Sequence, residues 1–257
     1  MDLTVVDATT LALWACLAAA AALYSTSGHG GATAYLALFG LFAVAPPVMR
    51  PLALALNVLV AGLGVVRLHK VGAVPWRLLV WLLAGSVPCA VIGGLVTLPM
   101  TTYRVLLGAT LLIAAARLLL PDRATSESLR TLPHAATVGI GAALGLLSGL
   151  TGIGGGIFLS PILILGRVLD PRRTAGASAT FIVVNSIAGL GAVLMRGGLA
   201  PLSVTAIVGS GAAVLLGAAV GTTLVTRSLS ARGLRVALAV VLVLSGLKLV
   251  SEALTST

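Results

Sequence analysis

Long apolar blocks recur from one end of this sequence to the other, and short segments rich in Gly, Pro and Arg separate them. A bilayer core about 30 Å thick needs about 20 consecutive apolar residues per helix, and most of the blocks have this length. Hydrophobic residues make up 59% of the chain and charged residues only 9%, which lies outside the composition of soluble domains. We therefore predict an all-α polytopic membrane protein, embedded in the lipid bilayer as a single domain over residues 1–257.

The blocks fall into two sets of five around a polar linker at 121–133. Repeat 1 covers approximately 1–120 and repeat 2 approximately 134–257. Block 156–166 is too short to cross a bilayer at about 1.5 Å rise per residue. The predicted blocks are 4–24, 31–49, 51–68, 75–99, 103–120, 134–151, 156–166, 174–195, 201–226 and 231–254.

Short motifs recur in the two sets in the same order. Gly28-His29-Gly30-Gly31 corresponds to Gly152-Ile153-Gly154-Gly155, and Ala61-Gly62-Leu63-Gly64 corresponds to Ala188-Gly189-Leu190-Gly191. The spacing between partners drifts slowly along the chain, as small loop insertions after an old duplication would produce. The sequence therefore predicts two structural repeats of about five helical segments each.

Charge placement predicts that the repeats are inverted. If alternate loops are cytoplasmic, 12 of the 16 Lys and Arg residues lie inside, a strong positive-inside bias. Block 51–68 then runs inward and its partner 174–195 runs outward, the arrangement found in many secondary transporters. The same topology places both termini outside a cell (plasma or inner) membrane. The residues left on the outer side are Arg50, Arg104, Arg196 and Lys248.

Several function classes have little support in the residues. The net charge of +10 does not indicate a nucleic-acid partner, because the basic residues stand one to three at a time in short loops. All six carboxylates lie outside the apolar cores of the blocks, so an ordinary carboxylate site for cations or protons is absent at membrane depth. No nucleophile–base pair or Cys/His metal motif is present, so we predict no catalytic residues, metal site, cofactor or enzyme activity.

The segment Gly149–Gly156 is the densest motif, with five glycines in eight residues. Each glycine costs about 1 kcal/mol relative to Ala inside a helix, so we predict a break at membrane depth. A helix starting after the break would direct its free N–H groups and positive dipole end into it, as in many anion sites. The alternative is that the glycines only permit close helix packing. The proposed substrate-binding residues of the two breaks are Ser27, Gly28, His29, Gly30, Gly31, Thr151, Gly152, Gly154, Gly155 and Gly156.

Four polar residues inside other blocks complete the predicted site. Asn57 and Asn185 lie in matching helices, where a carboxamide must face a polar partner, either substrate or a neighbouring helix. Ser178 and Thr180 precede Asn185 and either line the same cavity or bond to their own helix backbone. His29 is either a donor or proton relay for substrate, or a neutral residue bonded to an exposed carbonyl.

At the second glycine cluster the sequence resembles the sulfite exporter TauE/SafE family of small membrane permeases. The resemblance rests on the stretch from Leu147 to Leu163 and on Ala175-Gly176-Ala177-Ser178-Ala179-Thr180, and the repeat extends it over essentially the whole chain. In the first half, His29, Ala32 and Ala37 depart from the pattern. The resemblance implies transport of small sulfur-containing anions such as sulfite, sulfonates or other organosulfur acids.

These observations together predict a permease for a small anionic substrate, working by alternating access between inverted repeats. The sequence leaves open a non-transporting assembly or scaffold protein, an anion channel on the same frame, and a homo-oligomer. Free Cys16 and Cys89 are interpreted as small hydrophobic residues. The remaining aromatic residues near block ends are interpreted as interfacial anchors, namely Trp14, Tyr24, Tyr35, Trp76, Trp81 and Tyr103.

Overall fold

The computed structural model describes residues 6–25, 31–119, 130–197, 203–228 and 231–255, and these ranges contain helices and turns but no strand. Six helices within these described ranges (the first, third, fourth, sixth, eighth and ninth) are long and apolar enough to cross a membrane, which confirms the predicted polytopic α-helical membrane fold. The helices within these ranges are α1 (Ala8–Ser25), α2 (Ala32–Leu41), α3 (Pro46–Lys70), α4 (Trp76–Leu95), α5 (Met100–Leu119), α6 (His134–Thr151), α7 (Gly156–Leu165), α8 (Pro171–Met195), α9 (Val204–Ser228) and α10 (Ala231–Thr255).

The predicted block 31–49 is wrong, because the structure divides it between two helices. Helix α2 ends at Leu41, and α3 begins at Pro46, with proline at the first helical position where no N–H bond is lost. Both α2 and α7 therefore have 10 residues. Neither is long enough to span a bilayer by itself.

Helices α3 and α8 pack against each other in opposite directions at the centre of the molecule. A Cβ placed on Gly189 would lie 3.5 Å from Leu54 Cδ1, and one on Gly64 would lie 3.8 Å from Ala179 Cβ. Since the residue numbers rise on one helix as they fall on the other, the pair is antiparallel. Helices α5 and α10 are also antiparallel, with Arg104 Nε 3.7 Å from Glu252 Oε2 and Gly108 beside Gly246.

Glycines bring two further helix pairs, α4–α6 and α1–α9, into backbone contact. A Cβ on Gly145 of α6 would overlap the Ser86 carbonyl oxygen of α4, and a Cβ on Gly217 of α9 would overlap the Ala18 carbonyl oxygen of α1. Small residues are the usual means by which membrane helices approach this closely. Seven glycines of α4, α6 and α9 meet a neighbouring helix at comparably short distances, namely Gly85, Gly93, Gly94, Gly141, Gly145, Gly217 and Gly221.

The prediction that six aromatic residues are interfacial anchors is wrong for the tyrosines. Tyr24, Tyr35 and Tyr103 are buried among the helices, each less than a tenth exposed. Trp76 and Trp81 are 49% and 40% exposed on the surface of the helix bundle, as anchors would be. A tyrosine near the end of an apolar block looks the same in the sequence whether it anchors at the interface or is buried between helices. Only the tertiary packing distinguishes the two positions.

Candidate functional site

The chain breaks between α6 and α7, where the sequence predicts a break. Gly152, Gly154 and Gly155 all adopt left-handed backbone, with φ of 86°, 82° and 77°. Residues with a Cβ rarely tolerate this conformation, which explains the glycine cluster. No side chain caps the start of α7. Among the described residues, the Gly155 carbonyl accepts from the Phe158 and Leu159 N–H groups, which leaves the N–H groups of Gly156 and Ile157 without an intrahelical partner.

Helices α3 and α8 enclose this break tightly. A Cβ on Gly154 would lie 2.9 Å from Asn57 Nδ2, and one on Gly155 would lie 2.9 Å from Phe181 Cε1. Gly156 is similarly close to Ile182, at 2.5 Å. The break is therefore buried between the two central helices.

Asn57, one of the four polar residues predicted in other helices, hydrogen-bonds to the backbone of the break. Its side chain is fully buried, and its Nδ2 lies 3.4 Å from both the Ile153 carbonyl oxygen and Ser186 Oγ. Its Oδ1 has no hydrogen-bond partner among the described residues. A buried acceptor without a partner needs a donor from a ligand or from water, so this side chain points to a polar occupant.

The other three polar candidates divide between the break and their own helix. Ser178 Oγ lies 2.8 Å from Ser160 Oγ of α7, which holds it against the start of that helix. Thr180 Oγ1 donates to the Gly176 carbonyl and Asn185 Nδ2 donates to the Phe181 carbonyl, both within α8. The structure therefore brings Asn57 and Ser178 to the break. Asn185 is buried, and within the described ranges its Oδ1 has no partner and its side chain makes no hydrogen bond to the break.

Thr151 closes the last turn of α6 and helps to shape the break. Its Oγ1 donates to the Leu147 carbonyl at 2.7 Å and accepts a 3.4 Å bond from Ile153 N–H. The Thr151 carbonyl accepts a 3.4 Å hydrogen bond from Tyr103 Oη of α5. The sequence predicts an anchor role for Tyr103, but tertiary packing places its hydroxyl at the break.

In the first repeat, the predicted residues Ser27, Gly28, His29 and Gly30 lie outside the described residues. Gly31 precedes α2 in left-handed backbone, with φ 81°, as Gly155 precedes α7. A Cβ there would lie 2.7 Å from Tyr35 Oη, a buried hydroxyl without a partner among the described residues. Tyr24 Oη and Thr33 Oγ1 form a buried 2.8 Å hydrogen bond nearby in the chain.

A cavity of about 360 Å³ lies next to the α6–α7 break and contains residues that the sequence did not assign to the site. Arg50, Tyr103 and Arg196 line it. The only sequence signal for the two arginines is their membership of the small outer set of basic residues. Among the described residues, no group of three or more His, Cys, Asp or Glu side chains is placed to hold a metal.

Comparison with known proteins places the chain in a family. The family model described as Sulfite exporter TauE/SafE matches residues 13–249. A protein of Sinorhizobium fredii named "Probable membrane transporter protein y4hK" is 35% identical over 232 residues, covering 88% of this chain and 92% of that protein. No solved structure matches the chain. The chain therefore belongs to the sulfite exporter TauE/SafE family and is a multi-pass membrane protein.

Proposed function

We propose that this protein is a secondary permease for small anions, with sulfite, sulfonates and other organosulfur acids as the candidate substrates. The observation that carries the proposal is the buried break at Gly152–Gly155, which puts the uncapped start of α7 beside Asn57. The positive end of a helix dipole and free N–H groups favour an anion at such a position. Membership of a transporter family supports the permease class.

Alternating access between inverted repeats is the proposed mechanism. Two features support it. The first is that helices paired by the predicted repeats pack antiparallel, α3 with α8 and α5 with α10. The equally short α2 and α7 each follow a left-handed glycine, Gly31 or Gly155. Inverted repeats with broken helices at the midplane suit rocking of one half against the other. The proposal also places the protein in the cell membrane with both termini on the outer side.

Counterflow in liposomes tests the proposal. The full-length chain is reconstituted, and uptake of labelled sulfite, ethanesulfonate and sulfoacetate is measured against the same unlabelled anion. Saturable, trans-stimulated uptake of at least one of them is expected from a carrier. Conductance that does not saturate would indicate a channel, and the absence of binding and flux with every anion would overturn the proposal in favour of a scaffold.

Two valine substitutions test the broken helix. Gly155→Val places a branched side chain at φ 77° against Phe181, so flux should fall at least about tenfold while folded protein persists in the membrane. Gly191→Val in α8 is the matched control, because a Cβ there meets nothing within 4 Å. Unchanged flux in Gly155→Val would remove the break from the mechanism.

A further inference from the structure

The cavity beside the break is formed by the start of α3, the end of α4, the start of α5 and the end of α8. Its volume of about 360 Å³ lies within the usual range of small-ligand sites. Pro47, Pro51, Leu98 and Val193 supply apolar walls. Two arginines from distant parts of the chain, Arg50 and Arg196, supply the charge.

Both guanidinium groups bond to the carboxyl end of α4. Arg50 Nη2 donates to the Gly93 carbonyl at 2.7 Å and its Nη1 donates to the Val96 carbonyl at 3.3 Å. Arg196 Nη1 donates to the Leu95 carbonyl. Positive charge at a helix C-terminus is favourable, so capping explains part of this arrangement. It does not use all five N–H groups of each guanidinium, and Arg50 Nε is buried with no partner in the described part of the chain.

Neither arginine has a carboxylate partner among the described residues. Glu252 instead lies near Arg104 and Lys248. Asp170 accepts from the Arg173 backbone N–H, at the opposite end of α8 from Arg196. Arg196 is exposed and Arg50 is partly buried, and two charges of one sign beside the same cavity favour a compensating anion.

The cavity adjoins the break. A Cβ on Gly152 would lie 3.2 Å from the Arg50 carbonyl oxygen and 3.3 Å from Arg50 Cγ. Tyr103, which lines the cavity, donates from its Oη to the Thr151 carbonyl. An anion held by the arginines would therefore lie next to the glycine segment, on the same side of the molecule as the outer basic residues.

We propose that the Arg50–Arg196 cavity is a binding site for an organic oxyanion with a short apolar body. The guanidinium groups bind the sulfonate or carboxylate head, and the prolines, Leu98 and Val193 contact the body. A bare inorganic oxyanion would leave most of the volume and the apolar walls unused. This inference rests on the proposed permease function. It names the class of anion that binds in the outer part of the transport pathway.

Calorimetric titration of the purified full-length chain tests the site. The probes are butane-1-sulfonate, butanoate, sulfite and the uncharged butan-1-ol. Butane-1-sulfonate or butanoate should bind, sulfite should bind at least about tenfold more weakly, and butan-1-ol should not bind. Binding of sulfite as tightly as both organic anions would overturn the assigned class, as would the absence of binding by all four.

Arginine variants locate the binding. Arg50→Gln and Arg196→Gln should each weaken binding of the better organic anion at least about tenfold, since each removes charge-assisted hydrogen bonds. Arg104→Gln is the charge-matched control on the same side, and it should change affinity by less than about twofold. Size-exclusion elution and Tm verify folding. If Arg196→Gln does not fold, Arg196→Lys keeps the charge and a donor for the Leu95 carbonyl and should retain most of the affinity.

The outcomes separate this inference from the permease proposal. Wild-type affinity in both Gln variants would overturn the cavity site, and unchanged counterflow in those variants would leave the permease standing without it. Binding that depends on the arginines, with no flux of any anion, would support the site and overturn the permease. An increased KM for flux in both variants would support both proposals.

Discussion

At the scale of single residues, Asn57 differs from the other polar side chains of the central helices. Its amide lies across a helix interface, 3.4 Å from the Ile153 carbonyl and from Ser186 Oγ, whereas Thr180 and Asn185 bond to carbonyls one turn back in α8. A bond within the same helix leaves the next helix unaffected when it is lost. A bond between helices fixes how the break is oriented.

We therefore predict a difference between Asn57→Ala and Thr180→Val. Asn57→Ala should destabilise the fold by about 1–3 kcal/mol, because the buried Ile153 carbonyl loses a polar contact, and it should reduce anion counterflow at least about tenfold. Thr180→Val should leave counterflow within about twofold. Unfolding in mild detergent, together with liposome flux, measures both effects. Equal losses in the two variants would contradict a special role for Asn57.

Asn185 gives a second comparison at this scale. Because its Nδ2 bond stays within α8, Asn185→Ala should cost stability but reduce flux less than Asn57→Ala does. The ratio of the two flux losses, measured at equal amounts of folded protein, is the informative quantity. A larger loss for Asn185→Ala would show that its free Oδ1, rather than Asn57, meets the substrate.

At the scale of helices, glycine contacts hold α4 against α6 and α1 against α9. Gly145 meets the Ser86 backbone directly, whereas Gly139 of the same helix has nothing within 4 Å of a Cβ position. Without a hydrophobic driving force inside lipid, close backbone approach supplies much of the attraction between helices. Gly139 and Gly145 of α6 therefore have different roles despite similar sequence surroundings.

Alanine substitution should separate these two roles. Gly145→Ala forces α4 and α6 apart and should destabilise the protein by about 1–3 kcal/mol, in the range of overpacking. Gly139→Ala should be neutral or stabilising by up to about 1 kcal/mol, as helix propensity predicts. Thermal unfolding in detergent compares them. A similar Tm for both variants would indicate that α4 and α6 separate without cost.

At the scale of the whole molecule, the basic residues separate into two groups at opposite ends of the helices. At one end, Lys248 Nζ donates to the Gly40 and Leu41 carbonyls, near the Arg104–Glu252 pair. At the other end, Arg130 N–H donates to the Arg167 carbonyl at 2.7 Å. The minority set lies near four helix ends, the starts of α3 and α5 and the ends of α8 and α10, and the positive-inside rule assigns it to the outer side.

Cysteine labelling tests that orientation. In a background with Cys16→Ala and Cys89→Ala, Thr97→Cys replaces an exposed residue of the α4–α5 connection and Val71→Cys an exposed residue of the α3–α4 connection. A membrane-impermeant maleimide should label Thr97→Cys in right-side-out vesicles and Val71→Cys only in inside-out vesicles. The reversed pattern would invert the topology and place both termini inside.

The sequence alone determined the membrane fold, the order of the helices and the break at Gly152–Gly155. These properties follow from local causes: the length of apolar blocks and the backbone conformation that only glycine adopts readily. Tertiary structure decided that Asn57 rather than Asn185 contacts the break, that Tyr103 is buried, and that Arg50 and Arg196 share a cavity. Helical periodicity assigns each residue to a face of its helix but does not identify the helix that packs against that face. A charged residue at a helix end looks the same in the sequence whether it faces lipid headgroups or a cavity.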